Sequence, residues 1–221
     1  MSSAQIPFDI PVRDAFEAED YLVSASNVAA VRWIDRWPDW PDSPCSILYG
    51  TAGCGKTHLS HVWQQKSGAV RGVLENIDEK NLHLLPNILI LDSVDQSLDQ
   101  PALQERLFHL YNWQKSKGGS LLLTSGRHPK YWQDILPDLK SRMLASMAIK
   151  IGPPDDELLV AVIVKQFTDR QINVPKEVIS YLLPRIERSF GAARDIVGKI
   201  DALSLSKKRK ITVPLVRELL D

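Results

Sequence analysis

Short apolar runs alternate with amphipathic stretches through the first two-thirds of the chain, and amphipathic stretches alone fill the last third. Over 26–37, Val28, Val31, Ile34 and Trp37 recur at three-residue spacing, which predicts an amphipathic helix with Ser26 or Asn27 as its N-cap. Pro38, Pro41 and Pro44 cannot continue that helix and predict a turn-rich connection against which Trp33, Trp37 and Trp40 pack. Apolar runs at 46–49, 69–74, 88–91, 120–124 and 147–151 predict strands, and 56–66, 101–117 and 138–144 predict helices between them. Pro101 suits the first helical position, where its missing N–H has no partner to lose, and Gly118 with Gly119 ends that helix. Strands and helices in this alternation predict an α/β fold, a parallel sheet covered by helices on both faces. Beyond Pro153 and Pro154 no strand run follows. Helices are predicted at 155–170, 176–189, 190–206 and 213–220, with Pro184 kinking or ending the second because it removes the bond to Ser180.

The pattern divides the chain into an arm (1–12), a sheet domain (13–152) and a small all-helical domain (153–221). Pro7 and Pro11 favour an extended, flexible path for the arm. With 221 residues, 44% hydrophobic and 24% charged, the chain is long enough for one substantial core and a small appended domain. Lys+Arg and Asp+Glu are equal at 27 each, so no global positive field would hold it on nucleic acid, and any DNA contact must be local. The longest apolar run, at 158–164, is far shorter than the roughly 20 residues a membrane-spanning helix needs. The N-terminus has neither a basic region nor an apolar core of a secretory signal, so a cytoplasmic location is expected. Cys45 and Cys54 are too few for a disulfide framework.

Gly50, Thr51, Ala52, Gly53, Cys54, Gly55, Lys56 and Thr57 fit G-x-x-x-x-G-K-[ST] between a predicted strand and a predicted helix, the setting of a phosphate-binding loop. Its glycines let successive N–H groups turn onto phosphate oxygens, and the helix N-terminus adds partial positive charge. Lys56 is expected on the outer phosphates and the Thr57 hydroxyl on magnesium. His58 follows directly and is taken into the expected ADP- or ATP-contacting segment. A metal carboxylate belongs at the end of a neighbouring buried strand, and Asp92 ends the run Ile88, Leu89, Ile90, Leu91.

Hydrolysis also needs a group that orients water, commonly a carboxylate beside the metal acid. That neighbour is Ser93, and the nearest acid, Asp95, falls in the following turn, so slow or absent intrinsic turnover is expected. Arg142 and Arg194 carry planar, permanent charge suited to transferring phosphate oxygens, although periodicity alone makes both surface ion-pair residues. The run Lys207, Lys208, Arg209, Lys210 reads as a solvated loop with DNA phosphates as the alternative, and His58 with His61 as packing and surface residues without a third metal ligand. Cys54 would sense oxidation only if exposed.

Taken together these residues resemble the AAA+ ATPases of the DnaA family, most closely the Hda-type regulatory inactivators. GTAGCGKTHLSHVW is similar to the Walker A region, ILILDSVD to Walker B, LLLTSGRHP to the sensor 1 strand, LPDLKSRM to the arginine-finger segment and FGAARDIVGKI to the sensor 2 helix. The resemblance implies a P-loop AAA+ αβα sandwich with a five-stranded parallel sheet and a helical lid. It makes Arg142 an arginine finger acting in trans and Arg194 the sensor 2 arginine on the nucleotide. Gln5, Ile6, Pro7, Phe8, Asp9 and Ile10 resemble the hexapeptide that docks onto the DNA polymerase sliding clamp; Gln5 would make polar contacts while Ile6, Phe8 and Ile10 enter an apolar groove.

The chain ends at Asp221, where the initiator continues into a DNA-binding helix-turn-helix, so sequence-specific DNA recognition is not expected. The stretch 66–87 has room for one strand and a short connection, which implies that the initiator's extra single-strand-binding helices are shortened or lost. Ser93 and Gly126 depart from acidic or amide positions of the family, which suits a regulator that binds ADP or ATP with Mg2+, acts on DnaA at the clamp, and self-associates at most optionally. A self-hydrolysing AAA+ ATPase that loads or remodels a replication protein is the alternative. A small-molecule P-loop kinase would need an acceptor lid inserted in the sheet domain, which the pattern lacks.

Overall fold

The computed structural model describes residues 22–40 and 43–220. Gln5, Ile6, Phe8 and Ile10 lie outside them. The chain forms two compact units, Asn27–Gly152 and a second containing Pro153–Asp221.

In the first unit, α1 (Val28–Arg36), β1 (Cys45–Tyr49), α2 (Lys56–Ser67), β2 (Val70–Gly72), β3 (Ile88–Leu91), α3 (Pro101–Ser116), β4 (Ser120–Ser125), α4 (Pro137–Ala145) and β5 (Met147–Lys150) follow in order. All strand pairs are parallel, in the order β2-β3-β4-β1-β5. Alternate residues serve opposite faces, as a pleated strand requires. Cys45, Ile47, Leu89, Leu91, Leu121 and Leu123 join Leu103, Leu107 and Leu110 of α3 and Leu139 and Met143 of α4 in one core. Leu48, Ile90 and Leu122 are fully buried on the other side, where α2 packs on β3 and β4 and α1 packs on α2 and β5. Each such leucine removed from water contributes about 1.5–3 kcal/mol, which is why strands buried on both faces read as unbroken apolar runs.

Tryptophans close the α1 side. Trp33 donates its indole N–H to Ser46 Oγ at 2.9 Å, Trp40 stacks on Trp63 at 5.1 Å, and Trp37 meets Trp63 edge-on at 6.1 Å. The predicted strand 69–74 shrinks to the three residues of β2, followed by 3-10 turns at Leu74–Asn76 and Glu79–Leu84. β2 is an edge strand, and its own Val70 and the Val73 that follows it are half exposed, so its apolar run is not matched by burial.

The second unit contains α5 (Asp156–Asp169), α6 (Lys176–Leu182), α7 (Phe190–Lys207) and α8 (Val213–Leu220) around Leu159, Ile163, Phe167, Val178, Leu182, Val197, Ile200, Leu215 and Val216. Asp155 caps α5 by accepting from the Leu158 N–H at 2.9 Å, and Ser189 caps α7 by accepting from the Ala192 N–H at 3.0 Å. The predicted helix 176–189 stops at Leu182. A 3-10 turn at Leu183–Arg185 carries Pro184, where the proline was expected to break it. In the basic run, Lys207 and Arg209 both pair with Glu218 of α8, and these two hydrogen bonds hold its carboxyl below the usual carboxylate range. Half of the run therefore joins α7 to α8, in keeping with a solvated interhelical loop.

Candidate functional site

Because every strand is parallel, all carboxyl ends lie along one sheet edge, where open α/β sheets bind ligands. β4 separates β1 from β3, so the loop after β1 and the acid after β3 flank the end of β4. The loop at 50–57 leaves β1 and enters α2 without interruption. A Cβ on Gly50 would lie 2.3 Å from the Ile151 carbonyl oxygen, so no larger residue fits there. Gly55 is the N-cap of α2 at φ 101°, a left-handed conformation that favours glycine. Thr51, Ala52 and Gly53 are exposed, whereas the Cys54 side chain is buried and its thiol is pushed up by that burial against the opposing charge of Lys56. Burial removes the oxidation-sensing reading of Cys54. Lys56 curls back and donates from Nζ to the carbonyls of Gly50 at 2.7 Å and Thr51 at 2.9 Å, which keeps its ammonium over the loop.

Asp92 stands just past β3, and both of its oxygens are engaged. One forms an ion pair with Arg71 of β2; the other accepts from the Thr124 hydroxyl of β4 at 3.1 Å. Arg71 also donates to Ser60 Oγ at 2.9 Å and Gln64 Oε1 at 3.0 Å, both on α2. Ser60 in turn donates to the Thr57 carbonyl at 2.9 Å, and Thr124 Oγ1 accepts the Ser93 N–H at 2.8 Å. A continuous chain of hydrogen bonds thus joins the loop threonine's backbone to the ends of β3 and β4. Arg71 was missed by sequence reasoning: it sits in a three-residue strand 21 positions before its acid.

Asp95 falls in the turn after β3 as expected, but its reach to β4 was not foreseen. It lies in the 3-10 turn Val94–Gln96, yet its carboxylate accepts the Gly126 N–H at 3.0 and 3.1 Å, and a Cβ on Gly126 would sit 3.2 Å from Oδ2. An acid reaches the end of β4 from another segment, at the position where Gly126 lacks a side chain. Next to it, His128 packs edge-on against Tyr49 at 4.9 Å; burial and then Lys130 push its imidazole below the ordinary value.

Arg142 is exposed on α4 beside the buried Leu139 and Met143, with its guanidinium 6.0 Å from the ring of the buried Tyr111. It makes no ion pair with a described residue. Arg194 lies exposed in the second turn of α7, also without an ion pair to a described residue. The exposed Thr57 hydroxyl and the Asp92 carboxylate are hard oxygen donors of the kind magnesium takes, so the residue types fit that cation. Any cation on Asp92 has Arg71 to displace. Among the described residues no group of three or more His, Cys, Asp or Glu side chains is placed to hold a metal, and His58 and His61 are exposed residues of α2.

No helix of the described residues is long and apolar enough to cross a membrane. Residues 155–220 match the family model described as Hda, lid domain. The chain is 29% identical over 196 residues to the chromosomal replication initiator protein DnaA of Buchnera aphidicola subsp. Cinara cedri, covering 79% of this chain and 45% of that protein. It is 26% identical over 227 residues to DnaA of Thermomicrobium roseum, covering 91% of this chain and 48% of that protein. The chain thus spans about half the length of these relatives. Among solved structures, domain III of the Thermotoga maritima replication initiation protein DnaA superposes with a TM-score of 0.79 at 19% identity, covering 90% of this chain and 93% of that one. The AMPPCP-bound DnaA of Aquifex aeolicus gives 0.68 at 22% identity over 84% of this chain and 64% of that one. Sheet order, lid and relatives point one way: the chain is similar in sequence to DnaA replication initiators over most of its own length, shares the fold of DnaA domain III, and carries at 155–220 a segment that matches the Hda lid domain.

Proposed function

We propose that this chain is a nucleotide-bound regulator of bacterial replication initiation, which docks on the DNA polymerase sliding clamp through Gln5, Ile6, Phe8 and Ile10 and stimulates hydrolysis of ATP held by DnaA. The loop at 50–57 holds ADP or ATP by its backbone N–H groups. Lys56 turns from the Gly50 and Thr51 carbonyls to the outer phosphates, and Arg194 of the lid serves the same nucleotide. Magnesium, when bound, is held by Thr57 and Asp92 and supplies charge neutralisation at the phosphates. Arg142 is the arginine finger offered to the partner's ATP.

The observation that supports this reading best is Arg142 itself: Leu139 and Met143 on either side of it anchor α4 in the core, while Arg142 is exposed and no carboxylate of a described residue pairs with it. A finger supplied in trans is worth about 10³–10⁵ in rate, or roughly 4–7 kcal/mol of barrier, so one residue is enough for a switch. The test is conversion of DnaA-bound ATP to ADP with clamp-loaded DNA present, comparing the wild-type chain with Arg142→Ala. The wild type should accelerate conversion and the variant should not, while both bind nucleotide equally. An unchanged rate with wild-type protein that is demonstrably clamp-bound refutes the regulator reading.

One observation favours a second reading, an AAA+ ATPase that hydrolyses its own ATP and remodels a replication protein. Asp95 brings a carboxylate to Gly126, where the sequence shows none. If that acid serves water, the chain alone releases phosphate from ATP and Asp95→Asn lowers the rate at least about a hundredfold, the scale of a general-base loss. Absence of phosphate release by the wild-type chain excludes it.

A further inference from the structure

The Asp92 carboxylate is the expected anchor for a divalent cation, yet the fold already gives it a cation of its own. Arg71 reaches it from β2 and is fixed by three partners: Asp92, Ser60 at 2.9 Å and Gln64 at 3.0 Å. Each guanidinium nitrogen thereby has a dedicated acceptor, and the planar fork cannot rotate without breaking all three bonds. The second Asp92 oxygen takes the Thr124 hydroxyl. The side chains of Arg71 and Asp92 are about one-third exposed, at 30% and 36%, so the pair stands where solutes reach it. Through Ser60 the same guanidinium is tied to the backbone of Thr57, the other expected metal ligand.

This geometry sets the charge balance of the site. A carboxylate facing the phosphates of a nucleotide repels them unless a cation intervenes. In most phosphate-loop sites that cation is the metal; here a guanidinium neutralises the carboxylate beforehand, and a metal approaching that Asp92 oxygen competes with a guanidinium that Ser60 and Gln64 also hold in place. We propose that Arg71 is the resident counter-charge of the nucleotide site, so that the chain binds a nucleoside diphosphate with little dependence on magnesium. The proposal rests on the nucleotide-binding part of the function proposed above and adds how that nucleotide is held.

Removal of Arg71 exposes Asp92 to the phosphates, which weakens binding without metal and leaves metal to restore it. Removal of the Asp92 charge as well takes the repulsion away. The experiment is calorimetric titration of ADP into the whole chain, with excess magnesium and with EDTA. The proteins are the wild type, Arg71→Gln, which keeps a donor for Ser60 without the charge, Arg71→Ala, and Arg71→Gln combined with Asp92→Asn. Their melting temperatures are measured in parallel.

The wild-type dissociation constant should change by less than about threefold on chelation, whereas the Arg71 variants should lose about tenfold or more, equivalent to about 1.4 kcal/mol. The double variant should recover metal-free binding, a rescue that a merely structural role of Arg71 does not predict. If the wild type itself loses tenfold or more on chelation, or the double variant shows no rescue, the counter-charge role is wrong while nucleotide binding stands. If the wild type binds no ADP in either buffer, the nucleotide reading fails and this proposal falls with it.

Discussion

At the scale of single residues, a position set by local spacing can be read from the chain, whereas a pairing assembled at a distance cannot. Lys56 and Thr57 are fixed by their spacing from Gly50 and Gly55, and Asp92 by its place after four apolar residues. Arg71 and Asp95 owe their roles to partners 21 and 31 positions away, and no pattern near either residue marks the pairing. Cys45 is a residue whose behaviour follows from burial alone. It is fully buried at the start of β1, and desolvation pushes its thiol from 9.0 to about 12, against a weaker opposing hydrogen bond to Ser146. A thiol whose value is raised on folding stabilises the native state fully below the unfolded value of 9.0, and that contribution is lost as pH rises toward about 12. The denaturant midpoint should therefore fall more steeply above pH 9 for the wild type than for Cys45→Ala. Peptide mapping after treatment with a thiol reagent should find Cys45 unmodified in the folded chain at neutral pH. Rapid modification under those conditions contradicts the assignment.

At the scale of elements, apolar runs located all five strands; the pattern is plainest in the central β1, β3 and β4, which are buried on both faces, whereas Val70 of β2 and Met147 of β5 are exposed. Boundaries moved by one or two residues: α1 starts at Val28 after Asn27, and α4 starts at Pro137. The stretch between α2 and β3 was read less well. Its 3-10 turns are too short to show a helical period, and only Ala69, Leu74 and Ile77 in it are buried. In the lid, Pro184 predicted the break in α6 and Ser189 the start of α7 only once its bond to Ala192 was seen. Ser189 is itself buried, so its hydroxyl satisfies a helix-end donor that water reaches poorly. Ser189→Ala should lower stability by about 1 kcal/mol, within the usual range for an N-cap, as measured by chemical denaturation followed by far-UV circular dichroism. No measurable loss would mean that the first turn of α7 is held by other contacts.

At the scale of the whole molecule, the alternating pattern implied a parallel sheet but contained no information on strand order. That order follows from crossovers, and it is the order that places β4 between the phosphate loop and Asp92. The change of character at Pro153 was visible because the lid has no strand run, and the two units indeed have separate cores. The tryptophans divide between these units unequally. Trp33, Trp37, Trp40, Trp63, Trp113 and Trp132 all belong to Asn27–Gly152, four of them gathered where α1 meets α2, the helix that begins at Lys56. Tryptophan fluorescence of this protein therefore originates wholly in the sheet unit. It reports directly on the helix that carries the phosphate loop, whereas a direct tryptophan signal from the lid needs one introduced on α5 to α8.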